Sequence, residues 1–330
     1  MENEYSPYKA VHHIDSIRAG VPVSTHWFIT HRCNYCCLRC ANVQDVRLQH
    51  FNRYDEWALD DALRVAVEMK EYGVKAQVLS GGEPMFHKDF DKLVGGLLDI
   101  GFQLGMISNG SLLPSVDIDQ LAKFEWIRFS VAGMAAETYN SLHRTSLDIW
   151  SIMEEYVPLI KRSGCTVGVS YLVQPENYLE IPEFAAWAKS VGFDTCRFTS
   201  CWVPTGELYT ESQKESIVSL IDDTFALSSP DFKIFSFAER MNVASNKRYS
   251  HCYYSDLNPT ISANGNLYYC CMLQNSDAGY IGNLKSNSFA SVWESRKQVD
   301  VTKCPVCWFD KKNEFIEYLT DDSPRHINFI

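Results

Sequence analysis

Four cysteines lie close together in residues 30–41, which read THRCNYCCLRCA. Cys33, Cys37 and Cys40 form a C-x3-C-x2-C array. Thiolates are the usual ligands of iron–sulfur clusters, and three of them can hold three irons of a [4Fe–4S] cube while the fourth iron stays open to a cofactor or substrate. The extra Cys36 also allows two C-x2-C pairs that would suit structural zinc, so zinc is the alternative, and Cys36 itself is interpreted as a bystander.

A second group of four cysteines follows late in the chain: Cys252, Cys270, Cys304 and Cys307. Four thiolates can fully ligate one further cluster or a zinc ion, and the spacing alone does not choose between the two metals. Cys271 is the alternative to Cys270. Asn264 and Gly265 form a good hairpin turn, which would return Cys270 to the mouth of the hairpin.

The segment Ser80–Pro84 reads SGGEP and follows an apolar run. Gly81 and Gly82 at a strand end would let backbone carbonyls approach a ligand closely. Carbonyl oxygens together with the carboxylate of Glu83 suit an ammonium group. A plain turn is the alternative.

Short apolar runs alternate with amphipathic helical patterns across the first two thirds of the chain, which predicts a mainly parallel sheet with right-handed crossovers. The predicted strands are 23–30, 76–81, 103–109, 126–132, 166–173 and 195–203, and the predicted helices are 57–71, 88–99, 147–162, 178–190 and 211–227. Eight βα units would close a full TIM barrel, so six predict a partial (β/α)6 barrel of the α/β class. Its ligands should bind at the carboxyl ends of the strands.

The character of the sequence changes after about residue 231, where the second cysteine group, the hairpin turn and a predicted helix near 310–320 follow. The predicted organisation is an N-terminal extension over 1–22, the partial barrel over 23–230 and a small iron–sulfur domain over 231–330.

Composition narrows the class of protein. The 330 residues include 12 cysteines and carry a formal charge of −11. The charge disfavours a nucleic-acid partner. No signal peptide or run of about 20 apolar residues is visible, so a cytoplasmic protein without a membrane anchor is expected, and metal ligation explains so many thiols better than disulfides do.

The first cysteine group, with its flanking R-C-N and the GGEP segment fifty residues later, resembles the radical S-adenosylmethionine (SAM) superfamily, and the order of elements over 23–230 agrees. The resemblance implies that SAM chelates the open iron and is cleaved to a 5′-deoxyadenosyl radical, which abstracts hydrogen from a substrate. It also implies that Gly81, Gly82 and Glu83 hold the SAM amine. Arg39 departs from the pattern, since many relatives have an aromatic residue against adenine there.

Residues that match the superfamily less specifically extend the predicted SAM-binding site. By resemblance, Asn109 could reach the ribose of SAM, Ser130 ends the fourth strand with its side chain inward, and Arg144 could pair with the methionine carboxylate. Arg128 shares a face with Ser130, and Arg197 shares one with Cys201. These two arginines are candidates for binding a polar substrate; strand-end arginines that reach solvent are the alternative.

The C-terminal segment resembles the SPASM/twitch extension of some radical SAM enzymes, whose opening C-x9–15-G-x4-C pattern favours Cys270 over Cys271. Cys307 is the last cysteine in the chain, so the longer SPASM continuation is missing. The resemblance therefore implies the twitch type, with one auxiliary [4Fe–4S] cluster.

A second cluster near the substrate could accept the electron that the substrate radical loses. It therefore favours a reaction in which the substrate is oxidised. The leading hypothesis is a radical SAM dehydrogenase, similar to the aminocyclitol dehydrogenase group, that oxidises a secondary alcohol of a sugar or aminocyclitol with a flavodoxin or ferredoxin as reductant. The alternative is modification of a ribosomally made peptide by thioether or carbon–carbon crosslinking, or by epimerisation with Cys201 or Cys271 as hydrogen donor. A zinc-stabilised scaffold without catalysis is a third hypothesis.

Overall fold

The computed structural model describes residues 7–40, 49–201, 208–241, 247–304 and 307–320. The strands are Ser24–Thr30 (β1), Ala76–Gly81 (β2), Gln103–Ser108 (β3), Trp126–Ser130 (β4), Thr166–Val173 (β5), Thr195–Ser200 (β6), Lys233–Phe237 (β7), Thr260–Ile261 (β8), Asn266–Tyr268 (β9) and Tyr280–Asn283 (β10). The helices are Ile14–Ala19 (α1), Leu59–Tyr72 (α2), Phe90–Asp99 (α3), Ile118–Leu121 (α4), Ala136–His143 (α5), Ile149–Lys161 (α6), Ile181–Val191 (α7), Glu211–Thr224 (α8), Tyr253–Leu257 (α9), Phe289–Glu294 (α10) and Asp310–Thr320 (α11).

All ten strands belong to one sheet, in the order β10-β9-β8-β1-β2-β3-β4-β5-β6-β7. Neighbours from β1 to β7 pair in parallel, whereas β8–β9 and β9–β10 pair antiparallel. The fold is mixed α/β with a mostly parallel sheet, which confirms the predicted class.

The sheet differs from the prediction at both of its ends. β7 adds a seventh parallel strand beyond residue 230. β8 of the C-terminal segment pairs in parallel with β1, so this segment extends the same sheet. The last two residues of the predicted sixth strand, 202 and 203, lie outside the described residues.

The strands alternate between a helix-covered face and an inner face. Trp27 of β1 packs edge-on against Trp57 at 5.4 Å, and Phe198 of β6 contacts Phe184 of α7 at 6.2 Å between ring centroids. Trp27, Trp57, Phe184 and Phe198 are all fully buried. Burial of each such side chain contributes about 1.5–3 kcal/mol. The residues between them in the strands therefore face the barrel interior.

Glycines occupy the turns at the ends of two helices and in the hairpin. Gly73 and Gly192 cap α2 and α7 with φ of 112° and 90°, in the left-handed region that glycine adopts readily. Gly265 turns the β8–β9 hairpin with φ of 95°. Within the described residues, no helix combines the length and apolar character that crossing a membrane requires.

Candidate active site between the barrel and the C-terminal domain

The first cysteine group lies in the loop that follows β1. Cys33, Cys37 and Cys40 are half-buried and Cys36 is exposed. The backbone N–H of Tyr35 donates to the Cys33 sulfur at 3.4 Å. Sulfur atoms that accept N–H bonds are typical of cluster ligands, because such bonds stabilise the thiolate.

Burial and the charges of neighbouring groups raise the pKa values of Cys33 and Cys37. Burial, with smaller contributions from the charges of Glu83 and Cys40, raises the pKa of Cys33 to about 12, against the lowering effect of the hydrogen bond from Tyr35. Burial likewise raises the pKa of Cys37 to about 12, with contributions from Cys40 and Cys33. A bound metal would release these protons, since the thiolate is the ligand. Three cysteine thiols in one loop are the donor set that an iron–sulfur cluster takes.

Among the residues described, no three His, Cys, Asp or Glu side chains are already arranged to hold a metal ion. The seven cysteines proposed as cluster ligands therefore remain a prediction.

His143 is a partner of this loop that the sequence did not indicate. Burial lowers the pKa of His143 to about 4, so the imidazole is neutral at pH 7. The N–H of Ala132 donates to Nε2 at 3.3 Å, which leaves the proton on Nδ1. Nδ1 lies 3.3 Å from the Cys37 sulfur. The geometry therefore makes His143 a hydrogen-bond donor to a predicted cluster ligand.

The two glycines after β2 bring the chain against the cysteine loop. A Cβ atom on Gly81 would lie 2.0 Å from the Thr30 carbonyl oxygen, and one on Gly82 would lie 2.2 Å from that of Arg32. The N–H of Gly82 donates to Thr30 at 2.8 Å. Any side chain here would separate the loop from β2, so the glycines are needed for this close backbone approach.

Glu83 is fully buried and bonded within the chain. Its carboxylate accepts hydrogen bonds from the Met85 N–H at 3.1 Å, the Ser108 hydroxyl at 2.8 Å and the Asn109 N–H at 2.7 Å. Burial raises its pKa to about 7, against the lowering effect of these bonds. The carboxylate thus ties the ends of β2 and β3 together, and a contact between Glu83 and the SAM amine remains a prediction.

The other residues predicted to bind SAM lie at the ends of β3, β4 and α5. Asn109 donates through Nδ2 to Asn34 at 3.0 Å, beside the cysteine loop. Ser130 is half-buried at the end of β4. Arg144 is exposed and caps α5 in the left-handed region, with φ of 53°. None of these roles is tested by the structure.

Arg39 forms an ion pair with Glu176. Its guanidinium donates to both carboxylate oxygens of Glu176, at 2.9 and 2.6 Å, and to Gln174 at 2.7 Å. The pair fastens the cysteine loop to the segment after β5. Cys201 lies close to this pair: burial raises the pKa of Cys201 to about 11, Arg39 lowers it and Glu176 raises it.

The second cysteine group includes Cys270, which follows β9 of the hairpin. Cys252, Cys270 and Cys304 share one apolar cluster. Burial, and then the charges of Cys271, Cys252 and Cys304, raise the pKa of the Cys270 thiol, and the choice of Cys270 over Cys271 as a ligand stays a prediction. Cys307 is half-buried and accepts the Phe309 N–H at 3.4 Å. Its place as a fourth ligand stays a prediction.

The inner face of the sheet carries polar side chains on β4, β5 and β6. Ser130, Ser170 and Arg197 are register partners across β4, β5 and β6, and all three are on the inner face. Arg128 occupies the same face two residues before Ser130. His26 was missed by the sequence reasoning: burial and then the charge of Arg128 lower its pKa to about 4.

Comparison with known proteins identifies the class. The radical SAM superfamily model matches residues 27–188, and an iron–sulfur cluster-binding SPASM domain matches residues 252–316. These matches show a radical SAM domain followed by an iron–sulfur cluster-binding SPASM domain. The two domains imply SAM, a radical SAM [4Fe–4S] cluster and auxiliary iron–sulfur clusters as cofactors.

Relatives of several activities share parts of the sequence. The chain is 32% identical over 118 residues to an S-adenosylmethionine-dependent nucleotide dehydratase of Selenomonas ruminantium, matching 34% of this chain and 40% of that protein. It is 26% identical over 167 residues to the PqqA peptide cyclase of Granulibacter bethesdensis, matching 50% and 43%. The chain thus spans about two fifths of the length of these relatives.

Solved structures confirm the fold. Streptococcus suis SuiB bound to S-adenosylmethionine superposes with a TM-score of 0.66 at 15% identity, covering 87% of this chain and 69% of that one. At this identity the likeness concerns the fold.

Proposed function

We propose that this enzyme cleaves SAM reductively and oxidises a secondary alcohol of a sugar-like or aminocyclitol-like metabolite held inside the barrel. The observation that carries the proposal is the polar inner face of β4–β6, where Arg128, Ser130, Ser170, Arg197 and Thr199 stand. Within the described residues the Thr199 hydroxyl is buried without a hydrogen-bond partner. A hydroxylated substrate suits such a face better than an apolar one, because each buried polar group needs a partner.

The protein's own residues position the reactants. When bound, the cofactors supply a 5′-deoxyadenosyl radical that takes the carbon-bound hydrogen and an acceptor for the electron that the substrate then loses. The cysteine loop and the Gly81–Gly82 segment would hold these groups at the carboxyl ends of β1 and β2. The inner-face hydroxyls orient the substrate, whose hydroxyl proton leaves to give a ketone.

We propose three further components of the reaction: an auxiliary cluster, an electron donor and a class of substrate. One auxiliary [4Fe–4S] cluster would be ligated by the second cysteine group: Cys252, Cys270, Cys304 and Cys307. A flavodoxin or ferredoxin would supply the electron that cleaves SAM. The substrate would be a small molecule.

Peptide modification is the second candidate function. It is favoured by the PqqA peptide cyclases among the relatives, one of which is 30% identical over 139 residues, matching 39% of this chain and 35% of that protein. In this alternative the inner face would receive one side chain of a peptide, and Cys201 or Cys271 could donate hydrogen in an epimerisation.

Isotope labelling separates these functions. The reconstituted enzyme is incubated anaerobically with SAM, dithionite and either aminocyclitols and sugars or synthetic peptides. Dehydrogenation should move deuterium from the labelled carbinol carbon into 5′-deoxyadenosine and yield a ketone. Solvent deuterium in the product carbon would instead support epimerisation, and an absence of 5′-deoxyadenosine would refute the radical reaction altogether.

A further inference from the structure

A buried asparagine of α11 contacts the second cysteine group. Asn313 lies in the first half of α11, and its side chain is fully buried. Its amide nitrogen Nδ2 donates to the Cys252 sulfur at 3.6 Å, although the two residues are 61 positions apart in sequence. Cys252 is one of the four cysteines proposed to hold the auxiliary cluster. The contact is therefore a bond from a neutral, buried donor to a proposed cluster ligand.

The backbone determines which end of the Asn313 amide faces the sulfur. The N–H of Tyr254 donates to Oδ1 of Asn313 at 2.8 Å. Because a backbone N–H can only donate, the side-chain atom that it meets must be the carbonyl oxygen. The amide nitrogen is then turned towards Cys252, two residues before Tyr254. One short segment of chain thus receives both ends of the amide, and the sulfur receives its donor end.

Two other proposed ligands also have a donor or a positive charge beside them. Lys247 donates through Nζ to the carbonyl oxygens of Val301 and Cys304, at 2.8 and 2.6 Å. Burial raises the pKa of the Cys304 thiol, and the charge of Lys247 lowers it. The backbone N–H of Phe309 donates to the Cys307 sulfur at 3.4 Å. These groups, like Asn313, favour negative charge on the sulfur atoms of the second cysteine group.

Donors to sulfur change the reduction potential of an iron–sulfur cluster. Reduction adds one negative charge, which the cluster shares with its sulfur ligands, so an N–H bond to sulfur stabilises the reduced form more than the oxidised form. The effect is larger in a buried site, where the effective dielectric constant is low. A buried amide donor therefore raises the potential and makes the cluster a better electron acceptor.

The proposed reaction needs such an acceptor. After its carbon-bound hydrogen has gone to the 5′-deoxyadenosyl radical, the substrate must lose one electron and its hydroxyl proton to become a ketone. The auxiliary cluster takes the electron, and the proton goes to solvent. The electron that the substrate loses balances the one that cleaves SAM, so the reaction requires no further oxidant.

We propose that Asn313 is a positioning residue of the auxiliary cluster: its bond to Cys252 orients this ligand and raises the reduction potential of the cluster, which then accepts the electron from the substrate. The inference rests on the proposed function, which gives the cluster its four cysteines and its role as electron acceptor. It assigns a part in the reaction to a residue that is not itself a ligand.

The test is an EPR-monitored redox titration of the holoenzyme, with both clusters reconstituted anaerobically. N313L keeps a side chain of similar size but removes the donor. It should lower the midpoint potential of the auxiliary cluster, so that the ratio of reduced to oxidised cluster at a fixed potential falls about tenfold, the effect of losing one hydrogen bond to a charged group. For one electron this ratio corresponds to about 59 mV.

N258L is the matched control. Asn258 is also bonded through its amide, but to hydroxyl groups: it donates to that of Tyr254 at 2.7 Å and accepts from that of Ser24 at 3.1 Å. Its loss should leave the potential of the auxiliary cluster as in the wild type. Equal potentials in N313L and the wild type, or equal shifts in N313L and N258L, would overturn the proposal.

A second measurement leaves Asn313 unchanged, so it does not depend on the folding of N313L. The full chain with Cys33, Cys37 and Cys40 changed to alanine is labelled with ¹⁵N at asparagine side chains only, and its reduced auxiliary cluster is studied by pulsed EPR. The bond to Cys252 should give a coupling between the cluster spin and a ¹⁵N nucleus, because an N–H bond to sulfur carries spin density to the nitrogen. Absence of this coupling would overturn the proposal.

Ketone formation separates this inference from the proposed function. It is measured on the same holoenzyme preparations with SAM, dithionite and the aminocyclitols and sugars. Ketone formation together with an unchanged potential in N313L would remove only this inference. A potential that depends on Asn313, without ketone formation, would remove the proposed function and leave the effect of Asn313 on the cluster standing.

Discussion

Replacement of Glu83 by glutamine should change how the stability of the protein depends on pH. Burial raises the pKa of Glu83 from 4.5 to about 7 in the folded protein. A raised folded pKa means that the folded state holds its proton more tightly, so the stability contribution is fully present below pH 4.5 and is lost as the pH rises through 7. Between pH 4.5 and pH 7 the free energy of unfolding falls by about 3 kcal/mol, because each unit of difference between the folded and unfolded pKa corresponds to about 1.4 kcal/mol.

The assay is urea unfolding of the reduced, cluster-free protein at pH 5, 6, 7 and 8. The unfolding free energy of the wild type should fall by about 2–3 kcal/mol relative to that of E83Q between pH 5 and pH 8, because the amide does not titrate. Ser108→Ala is the control, because it keeps the Glu83 carboxyl but removes one hydrogen-bond donor to it. The loss of that donor should raise the folded pKa of Glu83, so the fall in unfolding free energy should continue to a higher pH. Parallel curves for E83Q and the wild type would refute the reasoning.

Three further predictions concern contacts around the two cysteine groups. Arg39→Met and Glu176→Gln should show a coupling of about 1 kcal/mol in a double-mutant cycle of unfolding free energies, and additive effects would contradict the pair. His143→Phe should lower the midpoint potential of the radical SAM cluster in an EPR redox titration, since an N–H donor favours the reduced cluster; an unchanged potential would show that the bond to sulfur is absent. Ser262→Ala should cost about 1–3 kcal/mol of unfolding free energy, because it breaks a buried bond to His31 that links the hairpin to the cysteine loop; a cost below 0.5 kcal/mol would contradict this, as for surface substitutions.

Local patterns in the sequence predicted most of the barrel. Glycines after helices, such as Gly73 and Gly192, cap them, and the runs at 103–109 and 166–173 form strands within one residue of their predicted ends. These features depend on neighbouring residues, so their signals are present in the chain itself.

Features that depend on tertiary pairing were not predictable. β8 has two residues, Thr260–Ile261, too few for any periodic pattern, and it exists because β1 offers a free edge beside it. β7 is a five-residue edge strand that lay beyond the predicted boundary. In both cases the partner strand, not the local sequence, determines the element.

The candidate site likewise combines features that the local sequence determines with features that only tertiary contacts determine. The spacing of Cys33, Cys37 and Cys40 is local and places them in one loop. The bond from His143 to Cys37 and the packing of Arg197 on the ring of Phe237 join residues that are far apart in sequence, so no motif revealed them. Glu83 carries a recognisable motif, but only its packing shows that three groups of the chain already bond to its carboxylate.

The central claim is that the first three thiols hold a cluster distinct from the auxiliary one. Iron and acid-labile sulfide are counted in anaerobically reconstituted wild type and in the variant with Cys33, Cys37 and Cys40 all changed to alanine. The account predicts about eight irons in the wild type, about four in the variant, and SAM cleavage only in the wild type. Stoichiometric zinc in place of iron, or a variant that keeps all its iron, would contradict it.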